Sequence, residues 1–142
     1  MQVRDCMNTH LICITPEESV AVAARLMARH NIGVLPVRAR DGSLCGIVTD
    51  RDLVLRCTAL ERPATETSVA RVMTGRVASV SPMTSVVQAA DKMAREQVRR
   101  LPVEDRGKLC GMLTLGDLAN SPKFTMEAAG ALGQICTGIS NR

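Results

Sequence analysis

The chain has 142 residues, which suits one compact domain or two small domains that share a core. Apolar residues make up 46% of it, too many for a disordered chain, and no apolar run approaches the roughly 20 residues of a membrane-spanning helix. The formal net charge is +4, but the arginines are dispersed and Phe124 is the only aromatic residue, which argues against a nucleic-acid-binding surface. The N-terminus has no signal-peptide pattern, so we expect a cytoplasmic protein that binds neither membranes nor nucleic acid.

The residue types of catalytic and metal sites are sparse. Six cysteines occur without a C-x-x-C pair, and His10 and His30 fall outside zinc-ligand spacing. Most of the cysteines lie in apolar runs, where we expect reduced, buried thiols. The sequence shows no carboxylate pair in a plausible cleft and no Cys–His pair at a recognisable spacing. We therefore expect no metal site, no enzymatic activity and no required cofactor.

The chain is built from an internal repeat. Residues 3–37 align with residues 69–103 with 13 of 35 positions identical, and the ten residues from Leu44 return from Leu109 with six identical. Two copies of one unit explain nearly the whole chain. We divide it into a first repeat at 1–60, a linker at 61–68, a second repeat at 69–122 and a tail at 123–142. The apolar, alanine-rich tail allows a short helix, although its glycines oppose one.

Each copy predicts the order β-α-β-β-α after a short helical lead-in at residues 3–7 or 69–73. First strands are expected at 11–14 and 77–80. A hydroxyl followed by proline, at Thr15 and Ser81, predicts the start of the first helix, and Glu18 completes a capping box with Thr15. Turn dipeptides at 41–42 and 106–107 predict a hairpin, and a second helix begins at each Thr-x-x-Asp.

The first helix of each copy is amphipathic. Apolar residues at i, i+3, i+4, i+7 and i+8 predict one buried face, which in the first copy comprises Val20, Ala23, Ala24, Met27 and Ala28. One repeat is too small to bury both of its helices, so two repeats packed sheet to sheet would share a core. The fold class expected is α+β, with two tandem repeats.

These motifs together resemble a CBS-pair protein, the regulatory domain named after cystathionine beta-synthase. The resemblance rests on two L-C-G-[IM]-[VL]-T-x-x-D-L blocks, two [GR]-[VR]-L-P-V blocks and two V-x-x-x-M lead-ins, and it covers about residues 1–120. It implies two units related by pseudo-two-fold symmetry. It also implies an adenine nucleotide (AMP, ADP, ATP or S-adenosylmethionine) in the cleft between the repeats. The small stand-alone members that this chain resembles are often dimers, so we expect a homodimer.

The Thr-x-x-Asp blocks have two compatible interpretations. As helix starts, Thr49 caps and Asp52 closes a capping box. A helix N-terminus also attracts phosphate, its hydroxyl can bind a phosphate oxygen, and a carboxylate one turn on can accept both hydroxyls of a ribose. In the family the matching threonine and aspartate bind the ligand, which implies these roles for Thr49, Asp52, Thr114 and Asp117, beside Asp50 and Arg51.

The two copies differ in charge, so we expect unequal sites. Arg51 becomes Gly116 in the second copy, whereas residues 33–34 become Arg99 and Arg100, whose guanidinium groups suit a phosphate. The resemblance places the adenine against the first strand of a unit and beside the second. The residues this implies are Cys13, Val34, Val77 and Ser79.

The alternative function is a ligand-free dimeric scaffold that acts through a protein partner. It would need an apolar helix face left over after the core is filled, for which Val54, Leu55 and the tail are candidates.

Overall fold

The computed structural model describes residues 1–120 and 125–140 and consists of two compact units. The first unit comprises Leu11–Val77 with Gly107–Leu109; the second comprises Met1–His10, Ala78–Arg106 and, among the described residues, those from Cys110 onward. Each repeat therefore places its lead-in in the unit of the other repeat. Equivalent backbone bonds hold both lead-ins, from Val3 N–H to the carbonyl of Thr84 and from Val69 N–H to that of Glu18, each 2.8 Å long.

The first unit contains a β-hairpin and two helices. Its elements are α1 (Val20–His30), β1 (Val34–Arg38), β2 (Leu44–Thr49) and α2 (Asp50–Leu53), which a π-helical turn (Val54–Thr58) continues. The strands are antiparallel, and Val34 lies opposite Thr49. The core consists of aliphatic and sulfur-containing side chains from all of these elements, including Leu35, Val48 and Cys57.

The second unit repeats this arrangement and adds one helix. Its elements are α3 (Val86–Glu96), β3 (Arg100–Asp105), β4 (Lys108–Thr114), α4 (Leu115–Ala119) and α5 (Thr125–Ser140). Helix α5 lies in the tail and packs on α3 and α4. Phe124, which precedes it, lies outside the described residues.

The added helix changes how much of the amphipathic face is buried. Ala90 and Ala94 of α3 are buried in the core to which α5 contributes Ala128, Ala131 and Ile135. The equivalent residues of α1, Ala24 and Ala28, are exposed. The prediction that these two residues are buried is wrong. The periodicity of the helix predicts an apolar face, but burial also requires an element that packs on that face, and among the described residues the first unit has no helix there.

The hairpin turns and the helical lead-ins are confirmed. Gly42 and Gly107 adopt positive φ angles of 93° and 76°, which glycine tolerates without strain. Asp41 Oδ1 accepts hydrogen bonds from the N–H and the hydroxyl of Ser43, and these bonds lower the pKa of Asp41. Each lead-in contains one 3₁₀ turn, Val3–Asp5 or Val69–Arg71.

The predicted starts of the first helices are wrong by about one turn. Helix α1 is capped by Ser19, whose Oγ accepts from the N–H of Val22 at 3.3 Å, and Ser85 caps α3 in the same way. Thr15 and Glu18 do bond to each other, but they close a separate turn. The helix cannot begin before Ser19 because Ser19 has an extended backbone and forms a β-bridge with Ser68.

The predicted first strands shorten to single bridges. Ile14 pairs in parallel with Val37, and Val80 pairs with Val103. Each bridge is anchored by two backbone hydrogen bonds of 2.9–3.1 Å, for example from the N–H of Ile14 to the carbonyl of Pro36. Each sheet therefore has two strands, and single bridges attach two further segments to it, one to each strand.

Candidate functional site

Each Thr-x-x-Asp block forms a capping box where a strand meets a short helix. Thr49 Oγ1 accepts a hydrogen bond from the N–H of Asp52 at 3.1 Å, and Asp52 Oδ2 accepts one from the N–H of Thr49 at 2.9 Å. Thr114 and Asp117 repeat this geometry at 3.1 and 2.8 Å. The predicted capping is confirmed. Each threonine hydroxyl is an acceptor in the box and still has its proton to donate.

At the first junction, the helix-terminal amides already donate to acceptors within the protein. The N–H of Asp50 donates to the carbonyl of Gly33, and the N–H of Arg51 donates to Oδ1 of Asp50, both at 2.9 Å. The Asp50 carboxylate lies against Gly33, where an added Cβ would come within 2.8 Å of Oδ2. Asp52 Oδ1 lies 3.9 Å from Nε of Arg56. Two carboxylates beside satisfied amides make this junction a poor anion site.

At the second junction the same positions carry fewer acceptors. The N–H of Leu115 donates to the carbonyl of Arg99 at 3.0 Å, which preserves the backbone geometry of the first copy. Leu115 replaces Asp50, so it brings no carboxylate to the N–H of Gly116. Arginines replace Gly33 and Val34 in the same comparison. The second junction therefore has the more favourable electrostatics for an anion.

A cleft of about 500 Å³ opens at the second junction. Its polar lining comes from Arg99, which is exposed, Arg100, which is half-buried, and Thr114. Its remaining lining is small or aliphatic and comes from Leu115, Gly116, Ala119, Ala128, Ala129 and Leu132. A smaller cleft of about 330 Å³ lies at the first junction, lined by Asp50, Arg51, Val54 and Leu55. Of these two clefts, the larger one combines two arginines with an apolar wall.

The residues predicted to hold the base do not all lie at these junctions. Val34 does, because the β1–β2 register places it opposite Thr49. Cys13 lines a separate cleft with Arg38 and Arg40, where β1 runs into its hairpin turn. Burial raises the pKa of the Cys13 thiol, and Arg38 partly opposes this shift. Cys13 thus has the chemistry of a protonated, half-buried thiol.

Neither of the base-contacting residues predicted in the second copy, Ser79 and Val77, lines the cleft at Thr114. The Ser79 hydroxyl donates to Glu104 Oε2 at 2.6 Å, and the Ser79 carbonyl accepts from Lys92 Nζ at 2.6 Å. These bonds hold Ser79 beside the far end of β3 rather than beside Thr114. Val77 is half-buried and belongs to the first unit.

The apolar wall of the larger cleft was missed by the sequence analysis. Ala128, Ala129 and Leu132 belong to α5, which was treated as a tail outside the repeat. Their spacing, i, i+1 and i+4, places them on one side of a helix, and this was the signal available. The spacing did not indicate that this side of the helix lies next to Thr114.

Among the described residues, no group of three or more His, Cys, Asp or Glu side chains could hold a metal ion. Cys6, Cys13, Cys45, Cys57 and Cys110 are thiols and not disulfides. No helix in the described ranges, 1–120 and 125–140, is long and apolar enough to cross a membrane.

Comparison with known proteins gives a consistent result. The family model of the CBS domain matches residues 3–58 and 69–122. The CBS domain-containing protein YhcV of Bacillus subtilis is 40% identical over 133 residues, which cover 94% of this chain and 94% of that protein.

Solved structures agree. The crystal structure of Hypoxic Response Protein I with two coordinated zinc ions has a TM-score of 0.77 at 31% identity, covering 84% of this chain and 98% of that one. A hexameric CBS-CP12 protein from bloom-forming cyanobacteria has a TM-score of 0.74 at 26% identity, covering 89% of this chain and 74% of that one.

CBS pairs are generally regulatory modules that sense a ligand. Both repeats of this chain match the family model, and the curated relative matches over almost its full length. The two mixed helix-and-strand units, each built around a short hairpin, are the expected architecture. The chain is therefore a tandem pair of CBS domains and belongs to the CBS domain family.

Proposed function

We propose that this CBS pair is a regulatory module that binds an adenine nucleotide (AMP, ADP, ATP or S-adenosylmethionine), with its main site at Thr114. The observation that carries the proposal is the cleft of about 500 Å³, which joins two arginines and a hydroxyl to an apolar wall. Its volume falls within the roughly 300–1,000 Å³ typical of ligand sites. A nucleotide matches this arrangement, because it carries a charged phosphate at one end and a base with flat, apolar faces at the other.

Each polar group has a role in this proposal. Arg99 and Arg100 bind phosphate oxygens through planar, permanently charged guanidinium groups. The Thr114 hydroxyl and the Gly116 N–H donate to the same phosphate. Asp117 uses Oδ2 in the capping box, so Oδ1 is the oxygen that accepts from ribose hydroxyls. For S-adenosylmethionine, the carboxylate replaces the phosphate as the partner of the arginines.

The proposal assigns sensing and no catalysis to the chain. Its ligand-binding groups are donors and one carboxylate, and none is positioned with a second acid or base to transfer a proton. We therefore propose a non-enzymatic role in the cytoplasm, where a change in nucleotide level is transmitted to a partner or to a second copy of the chain.

Thermal unfolding with and without millimolar AMP, ADP, ATP and S-adenosylmethionine tests this function. The unfolding should be followed with a dye because the chain lacks Trp and Tyr. A ligand at 100 times its dissociation constant stabilises the native state by about 2.7 kcal/mol. At about 3 °C per kcal/mol for a chain of this size, the midpoint should rise by roughly 8 °C.

A pair of variants locates the site. Replacing Arg99 and Arg100 together by glutamine should abolish most of the shift, whereas Arg51→Gln at the first junction should leave most of it. Equal loss in both variants would contradict the assignment to the second junction. No shift with any of the four ligands would remove the nucleotide proposal.

Self-association is the second candidate function. Val54 and Leu55, predicted to form a leftover apolar face, are 55% and 47% exposed, and Leu60 nearby is 56% exposed. We propose that this face joins two copies of the chain, as in a homodimer. Sedimentation equilibrium of the parent chain and of Val54→Lys tests whether this face forms a homodimer. The variant should be shifted toward monomer. A parent chain that is already monomeric would refute the proposal.

A further inference from the structure

Helix α5 is an addition to the repeated unit, and it is positioned to do more than cover the core. Ala128, Ala131 and Ile135 are buried where it packs on α3 and α4. The side of the helix that carries Ala129 and Leu132 instead faces the cleft at Thr114. Ala129 is exposed, and Leu132 retains 40% of its accessible surface. An aliphatic side chain at the mouth of a cleft gains free energy if a ligand covers it.

The polarity of the cleft assigns an orientation to its ligand. Arg99 directly precedes β3, Arg100 begins it and Thr114 ends β4, whereas the wall from α5 contributes only apolar side chains. A bound nucleotide would place its phosphate at the strands and its base against α5. The part of this wall that α5 supplies consists of alanine and leucine side chains, from Ala128, Ala129 and Leu132.

Several features reduce the stability of α5 and of its packing on the second unit. Gly130 and Gly133 lie inside the helix with nothing within 4 Å of an added Cβ, and each glycine costs about 1 kcal/mol relative to alanine. Among the described residues, Gln97 Oε1 and Glu127 Oε2 are buried without a hydrogen-bond partner. Gln97 Nε2 donates a hydrogen bond to the carbonyl of Gln134 on α5 at 3.3 Å. A helix that carries these costs is stabilised further when a bound ligand adds contacts to it.

We propose that α5 is the base-contacting wall of the Thr114 site and that nucleotide binding and the seating of α5 stabilise each other. This inference rests on the proposed function. It adds that Ala129 and Leu132 determine which base is accepted. It also identifies α5 as the element whose order reports on occupancy. The first junction, which has Val54 and Leu55 exposed instead of a covering helix, would lack this response.

The test compares two charge-matched variants of the full chain by isothermal titration with the nucleotide that gives the largest thermal shift. Ala129→Glu places a carboxylate at the cleft, where it pairs with the arginines and repels phosphate, and should weaken binding at least about tenfold. Thr137→Glu adds the same charge on an exposed position of α5 farther along the helix and should change affinity by less than about twofold. Hydrogen exchange of the parent chain, with and without the same nucleotide, should show slower exchange of α5 amides when the ligand is bound.

The outcomes separate the two proposals. If the parent binds nucleotide but Ala129→Glu binds equally well and α5 exchange is unchanged, the role of α5 is refuted and the proposed function stands. Equal weakening by both variants would refute contact at Ala129 in favour of general electrostatics. Failure of the parent to bind any of the four nucleotides would refute both. Circular dichroism of the variants establishes that they are folded.

Discussion

Replacing Gly46 by alanine measures how closely the lead-in of the second repeat packs on strand β2. A Cβ at this position would lie 2.3 Å from the carbonyl oxygen of Thr74, where ordinary contact begins at 3.4 Å, so the lead-in must move by about 1 Å. That movement breaks the two backbone hydrogen bonds between Ile47 and Thr74, which are 2.9 and 3.0 Å long. At about 0.5–1.5 kcal/mol for each bond, the free energy of unfolding should fall by about 1–3 kcal/mol.

The second repeat provides the matched control. At Gly111 the nearest atom is Sδ of Met7 at 2.6 Å, on a flexible side chain, and the nearest backbone atom is the carbonyl oxygen of Asn8 at 3.2 Å. Met7 can rotate away, so Gly111→Ala should cost about 1 kcal/mol or less. Urea unfolding followed by far-UV circular dichroism gives both values. A cost for Gly111→Ala equal to or above that for Gly46→Ala would refute the reasoning from backbone contact.

Three further predictions concern stability. Thr67→Val removes a hydroxyl that donates to the carbonyl of Pro63 at 2.8 Å in a residue only 2% exposed; urea unfolding should show a loss of about 1 kcal/mol, and Thr67→Ser should lose less. Met93→Ala empties a fully buried position and should cost about 2–5 kcal/mol in the same assay; a loss below 1 kcal/mol would contradict the buried placement. Burial raises the pKa of Cys13 above its ordinary value of 9.0. The unfolded chain therefore loses this proton first, and the stabilisation present below pH 9.0 disappears as the pH rises through the raised pKa. Stability should fall as the pH rises above 9.0, and less steeply in Cys13→Ala.

Features set by local bonding could be predicted from the sequence. The Thr114 capping box needs only a hydroxyl and a carboxylate three residues apart, and the turn at Gly107 needs only a positive φ angle. Both follow from a few adjacent residues. The internal repeat strengthened these predictions, because the same local pattern occurs in both copies.

Choices between equivalent local patterns could not be predicted. Thr15 with Glu18 and Ser19 with the first turn of α1 are both good caps, and the β-bridge of Ser19 to Ser68 determines which begins the helix. The exchange of lead-ins is similar, since the same valine and methionine spacing suits either unit. These outcomes depend on contacts between residues far apart in the chain.

The candidate site was predicted only in part. Thr114, Arg99 and Arg100 do share one cleft. The wall from α5 could not be inferred because the repeat contains no template for it. The strand residues Cys13 and Ser79 were assigned by analogy and do not line this cleft, since Cys13 lines a separate cleft and Ser79 is bonded to Glu104. Their role in ligand binding stays a prediction.

The most direct test of nucleotide sensing at the second junction is isothermal titration of the parent chain, Asp52→Asn and Asp117→Asn with the ligand identified by thermal unfolding. Asparagine keeps one oxygen for each capping box. It replaces the other carboxylate oxygen, the proposed acceptor for ribose hydroxyls, by an uncharged NH2 group that can only donate. Losing a hydrogen bond to a charged group costs about 1.5–3 kcal/mol, so Asp117→Asn should weaken binding about 10- to 150-fold, and Asp52→Asn should leave the tight site intact. Retained affinity in Asp117→Asn, or its loss in Asp52→Asn alone, would contradict the assignment.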